Sequence, residues 1–171
     1  VLGPEMRSTG EVLSMSSNFG EAFFKAQEAT QSRLPIEGTV LMSIGDRDKP
    51  ELLDVAKGLD ELGFKIIATG ATCDMIRGAG IDAEKVAKIN EGRPNVLDVI
   101  SNGKIDMIIN TPVGKKGATD DSYIRKAAIK NRVPYMTTMA AAKATVEGIC
   151  AVKNGEVLPV KSLQEFHGEI Q

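Results

Sequence analysis

From Thr39 onward, short apolar runs alternate with stretches of helical periodicity, and this rhythm limits the fold more than any other feature of the chain. The runs 40–44, 64–68, 85–89, 107–110 and 134–136 read as strands, with helices expected over 50–62, 72–78, 95–102, 121–131 and 138–149. Such alternation argues for a parallel sheet with helices on both faces, an α/β domain. Upstream, Asn18 with Glu21 three residues later reads as a capping box opening a helix over 19–32, and 34–38 reads as a linker. Downstream, Lys153-Asn154-Gly155 reads as a hairpin-like turn and 163–170 as a short terminal helix.

At 171 residues the chain fits one domain with an appendage, and 42% apolar against 26% charged residues supports a real core. A formal net charge of -2 provides no global field to draw the chain onto nucleic acid or an anionic membrane. No stretch approaches the roughly 20 apolar residues of a membrane span, so a cytoplasmic location is expected. Residues 1–15 lack an initiator methionine, a signal-peptide pattern and clear periodicity, and read as the cut end of a longer polypeptide. Cys73, Cys150 and the single His167 share no metal-ligand spacing, so neither a zinc site nor a Cys-His dyad is expected.

In an open parallel sheet, ligands bind beyond the carboxyl ends of the strands, which directs attention to three loops. Ser43-Ile44-Gly45-Asp46-Arg47-Asp48-Lys49-Pro50 sets a hydroxyl and a cation at the first strand end. Either Lys49 reaches an anion there, or Asp46 or Asp48 caps the next helix and Lys49 is a solvated charge. Thr69-Gly70-Ala71-Thr72 is either a phosphate-binding helix start or a plain turn with Thr72 as N-cap. It is no P-loop, since the Gly-Lys-Ser/Thr ending is absent. Asn110-Thr111 leads into a glycine-bounded stretch carrying Lys115 and Lys116, followed by Asp120, Asp121 and Ser122 as candidate caps. Lys88 adds a further cation at the same edge, and together these residues point to an anion site.

The same edge offers no histidine, no cysteine in a strand-end loop and no carboxylate pair that its context commits to acid–base work, so no catalytic residue is assigned. Cys73, near a helix start, is read as a small buried residue in preference to a stabilised thiolate.

Taken together, Ser43, Lys49, Thr69-Gly70-Ala71-Thr72, Glu91-Gly92-Arg93-Pro94, Asn110-Thr111 and Tyr135-Met136-Thr137-Thr138 resemble the C-terminal allosteric domain of carbamoyl-phosphate synthase large subunits. Residues 2–12 resemble the closing segment of that enzyme's second ATP-grasp unit. The resemblance implies a methylglyoxal-synthase-like fold with a central five-stranded parallel sheet over 35–171, preceded over 1–34 by the tail of the ATP-grasp unit and a connecting helix. It further implies a nucleotide effector, uridine monophosphate as inhibitor or inosine monophosphate as activator, held by Ser43, Lys49, Thr69, Gly70, Thr72, Lys88, Asn110, Thr111, Lys115, Lys116 and Ser122. No cofactor is implied for the domain itself. The parent enzyme would use ATP with Mg or Mn, the upstream ATP-grasp domains and a small glutaminase subunit. A second effector corner would fall on Tyr135 and Thr137, but Met136 replaces the aspartate that ornithine-responsive members carry. Two alternatives are a docking module without a small ligand and methylglyoxal synthase. The latter needs an aspartate in a Gly-Gly-Asp loop, and Glu91-Gly92-Arg93-Pro94-Asn95 has none.

Overall fold

The computed structural model describes residues 12–30, 33–112, 114–154 and 161–169, with the backbone alone over 114–118. Its elements run α1 (Phe19–Glu28), β1 (Thr39–Ile44), a 3₁₀ turn (Asp46–Glu51), α2 (Leu52–Glu61), β2 (Lys65–Thr69), α3 (Gly70–Gly78) and β3 (Glu84–Val86). There follow α4 (Val96–Ser101), β4 (Met107–Thr111), α5 (Gly114–Asn131), β5 (Tyr135–Met136), α6 (Met139–Lys153) and α7 (Leu163–Gly168). The five strands form one parallel sheet in the order β3-β2-β1-β4-β5. This is the sheet the strand–helix alternation implies.

Successive residues of a strand face opposite sides, and the core divides accordingly. Val40, Met42, Ile44, Ile66, Ala68, Met107 and Ile109 pack with side chains of α1, α2, α3 and α6. Leu41, Ile67, Val86 and Ile108 pack with α4 and α5 on the other face. Each helix contributes a stripe at helical spacing: Leu52, Val55, Ala56 and Leu59 are the buried residues of α2. Truncating a fully buried leucine such as Leu52 or Leu59 to alanine costs about 2–5 kcal/mol.

Several expected boundaries move, each for a local reason. β3 ends at Val86, because beyond it only Ala87 makes an isolated bridge, to Asn95. α3 begins at Gly70, directly off β2, since a glycine at φ +34° lets the chain turn into the helix without a loop. α5 begins at Gly114, well before 121, so the aspartates read as caps lie inside the helix. α6 continues to Lys153 with Asn154 at its C-cap, which replaces the expected hairpin-like turn; Gly155 lies outside the described residues. α1 stops at Glu28. The division expected at 34 is no gap in the packing, because Phe24 and Leu34 belong to the same buried cluster as the sheet. Of residues 2–12, on which the ATP-grasp resemblance rests, all but Val12 lie outside the described residues.

Candidate functional site

The strand order places the chain's change of direction between β1 and β4, and ligand clefts of open α/β sheets form at such a point. A cleft of about 410 Å³ opens there, at the carboxyl ends of β1, β2 and β4. Ser43 pairs with Asn110 across β1 and β4. On the other side of Ser43, the Thr69 hydroxyl donates to Ser43 Oγ at 3.1 Å. Ser43, Thr69 and Asn110 thus form a polar row on the α4/α5 side of the sheet edge, and all three line the cleft.

Three groups gather at the β2 end of this row. Thr69 is the N-cap residue of α3 but makes no side-chain cap, so among the described residues no side chain caps the N–H groups of the helix's first turn. Lys49, on the 3₁₀ turn, has a side chain 23% exposed, with Nζ 2.5 Å from Asp46 Oδ1. Lys88 lies past β3 and also lines the cleft. The Lys49 hydrogen bond and charge hold the Asp46 carboxyl below its ordinary range, and the charge of Lys88 lowers it further. Neither Asp46 nor Asp48 caps α2, whose N-cap position is Glu51 and carries no side-chain cap; Asp46 pairs with Lys49 and Asp48 with Arg47. Carboxylates also line the cleft, namely Asp46, Glu91, Asp120 and Asp121, so it is not a uniformly cationic groove. Glu91 accepts the Lys88 backbone N–H at 3.2 Å, and Asp121 is paired with Arg125 at 3.0 Å.

Thr72 and Thr111 also border the cleft, but their oxygens are engaged by the backbone. Thr72 Oγ1 accepts the Ile44 N–H at 3.1 Å, and Thr111 Oγ1 accepts the Gly45 N–H at 2.9 Å. Both residues are 3% exposed, and they fasten the end of β1 to α3 and β4. Thr72 is therefore no N-cap.

The β4 end of the row holds a network that local sequence reading missed. Asp121 points inward from α5 and accepts from Asn110 Nδ2 at 3.0 Å, from the Tyr135 hydroxyl, and from Arg125 Nη2 at 3.0 Å. Asn110 Nδ2 also donates to the Tyr135 hydroxyl at 2.6 Å. Burial and the hydrogen bond to Asp121 push the Tyr135 phenol well above its ordinary range, so it stays a protonated donor. The Tyr135 hydroxyl thus points into this network, whereas Thr137 is exposed. Ser122 is exposed and outside the cleft lining; the inward position belongs to its neighbour Asp121. The signal available was helical spacing: Asp121, Ile124 and Ala128 form one buried stripe. The side chains of Lys115 and Lys116 lie outside the described residues.

Other candidates fall elsewhere. Cys73 is buried, its thiol contacts the Ala83 carbonyl at 3.7 Å, and burial pushes its pKa up, as suits a packing residue. His167 sits on α7 beside Met15, Leu163 and Phe166. After the loop 91–94, Asn95 caps α4 in a reciprocal box with Asp98. Among the described residues no three metal-ligating side chains cluster, and no helix is long and apolar enough to cross a membrane.

A parallel sheet with a polar cleft at its switch point defines the class, and a family profile described as the MGS-like domain matches residues 51–137. The chain belongs to that family. Among sequence relatives, it is 50% identical over 168 residues to "Carbamoyl phosphate synthase large chain, C-terminal section" of Methanopyrus kandleri, covering 98% of this chain and 31% of that protein. The corresponding section from Aquifex aeolicus is 47% identical, with 98% and 32% covered. The carbamoyl phosphate synthase large chain of Archaeoglobus fulgidus is 49% identical, with 99% and 16% covered. The chain therefore spans about a third or less of the relatives it matches. Among solved structures, methylglyoxal synthase from Elizabethkingia anophelis NUHP1 aligns with TM-score 0.50 at 18% identity, over 66% of this chain and 79% of that one. ForH aligns with TM-score 0.52 at 17% identity, over 71% and 83%. At those identities the likeness concerns the fold.

Proposed function

We propose that this chain is the regulatory C-terminal part of a carbamoyl phosphate synthase large chain and binds a nucleoside monophosphate in the switch-point cleft. One observation carries the binding reading: the first turn of α3 has no side-chain cap and opens where Ser43, Thr69, Lys49 and Lys88 converge. Unpaired N–H groups at the positive end of a helix dipole, flanked by hydroxyls and two ammonium groups, suit a phosphate. Uridine monophosphate as inhibitor is the first candidate, and inosine monophosphate as activator the second.

The whole-protein reading rests on the names of the relatives and their identity to nearly all of this chain. In that reading the parent is a cytoplasmic, ATP-dependent ligase that makes carbamoyl phosphate from bicarbonate and glutamine-derived ammonia for pyrimidine and arginine synthesis. Its ATP and Mg or Mn sites lie in the ATP-grasp domains, and a small glutaminase subunit supplies the ammonia. Effector binding would alter how this domain packs against those domains, a coupling of roughly 1–3 kcal/mol that must be reciprocal.

The test is calorimetric titration with uridine monophosphate, inosine monophosphate, uridine, ornithine and N-acetylglutamate, using the native chain and Lys88→Ala. A nucleotide should bind saturably and lose about tenfold in affinity in the variant, the scale of one charge-assisted hydrogen bond. Equal weakening of the phosphate-free nucleoside would sink the assignment, and silence from all five ligands would favour a docking module.

A further inference from the structure

We infer that Asp121 and Tyr135 are positioning residues that lock the Asn110 carboxamide with its carbonyl oxygen toward the cleft, so that the site selects a ligand carrying a hydrogen-bond donor at that point. The inference rests on the phosphate-binding reading above and specifies the other end of the same ligand.

Donor and acceptor capacities dictate the orientation. The Asp121 carboxylate, paired with Arg125, can only accept. The single Tyr135 phenolic proton goes to Asp121, which leaves the phenolic oxygen to accept. Asn110 Nδ2 is the donor facing both oxygens, Asp121 Oδ1 at 3.0 Å and the Tyr135 hydroxyl at 2.6 Å. The flipped amide would set a carbonyl oxygen against a carboxylate oxygen at hydrogen-bond distance with no proton between them. Asn110 is 5% exposed and lines the cleft, and its Oδ1 has no partner among the described residues. A carbonyl on so buried a residue, reached only from the cleft and without a protein partner among the described residues, favours a donor and disfavours an ether, keto or carboxylate oxygen.

Geometry then bounds the ligand. Thr69, Ser43 and Asn110 stand on three neighbouring strands, so the α3 end and the Asn110 end lie about 10 Å apart at the usual strand spacing. The preferred ligand carries a phosphate and, within that reach, a hydroxyl or ring N–H.

The experiment measures affinities for uridine monophosphate, its ring-N-methylated form, its dideoxyribose form and inorganic phosphate, in the native chain, Asp121→Asn and Tyr135→Phe. Each variant is checked by thermal melting. The native chain should bind at least one donor-capped form about tenfold more weakly than uridine monophosphate, the scale of one good hydrogen bond. That discrimination should fall below about threefold in Asp121→Asn, where the amide can flip, and to an intermediate value in Tyr135→Phe. Inorganic phosphate affinity should stay within about twofold in Tyr135→Phe, because the phosphate end is two strands away. Unchanged discrimination in both folded variants overturns the inference, as does a parallel loss of phosphate affinity, which would mark a merely structural role. If Asp121→Asn fails to fold, unchanged discrimination in folded Tyr135→Phe is sufficient to overturn it. Phosphate-bearing ligands binding without discrimination would defeat this inference alone; no binding by any of them would defeat the phosphate reading with it.

Discussion

Asn110 and Thr111 are consecutive residues of β4, yet the pleat sends them to opposite faces and to opposite roles. Thr111 accepts a backbone N–H and fastens the end of β1, whereas Asn110 lines the cleft with a carbonyl that has no partner among the described residues. The same division holds across the edge. On the α2/α3/α6 side, Thr72 serves the backbone of Ile44. On the α4/α5 side, Ser43, Thr69 and Asn110 form the row that faces the cleft. Polar residues of one kind, a few ångströms apart, become scaffold or recognition group according to side-chain direction. Residue type alone does not separate them.

The comparison breaks most visibly on the scaffold side, far from the cleft. α1 crosses α6 at Gly20 and Gly148, and a Cβ at Gly148 would lie 2.6 Å from the Gly20 carbonyl oxygen and 2.8 Å from Phe24 Cβ. Gly148→Ala should lose about 1–3 kcal/mol in urea denaturation, since backbone cannot yield as a flexible side chain does. Nucleotide affinity should not change; a matching loss of affinity would show that the scaffold and the cleft are not separable.

A second, smaller effect concerns the network beneath Asn110. Tyr135 has its pKa raised in the folded protein, so its contribution to stability is fully present below the ordinary phenol value of about 10 and is lost as pH rises beyond it. Stability should therefore decline above about pH 10, less steeply in Tyr135→Phe. In Tyr123→Phe, which leaves Tyr135 as the sole tyrosine, phenolate absorbance should appear only with unfolding. A phenolate signal from the folded chain at the ordinary phenol value would contradict the buried network.

The smallest effect lies at the phosphate end, where Asp46 competes for Lys49. The pair is exposed to solvent on the Asp46 side, so its removal frees the ammonium group at little structural cost. Asp46→Asn should raise nucleotide affinity about two- to fivefold, in keeping with the modest strength of exposed pairs. An unchanged or reduced affinity would place Lys49 outside the ligand's reach.

The sheet was readable because each strand is an apolar run bounded by polar turns, and helical periodicity filled the intervals. Boundaries were less readable where tertiary packing overrode local signals. Gly114 and Gly117 are poor helix formers, and Asp120, Asp121 and Ser122 look like caps, yet α5 runs through them all. That extension turns Asp121 toward the sheet and leaves Ser122 outside, a reversal that a cap-based reading cannot anticipate. Strand-end position did bring Ser43, Lys49, Thr69, Lys88 and Asn110 to one cleft. It did not show which of them keep unpaired groups, because the partners of Thr72 and Thr111 are 28 and 66 residues away. Tyr135 entered only through the resemblance, as part of a second effector corner, and its direction depends on Asp121, 14 residues earlier.

The central claim is that a phosphate sits on the uncapped start of α3, and backbone amide resonances report on it directly. In an assigned amide NMR titration with uridine monophosphate, the signals of Gly70, Ala71 and Thr72 should shift together and saturate with a single dissociation constant. Saturating shifts confined to the surface around Met15, Leu163 and His167, with the α3 start unmoved, would contradict the account.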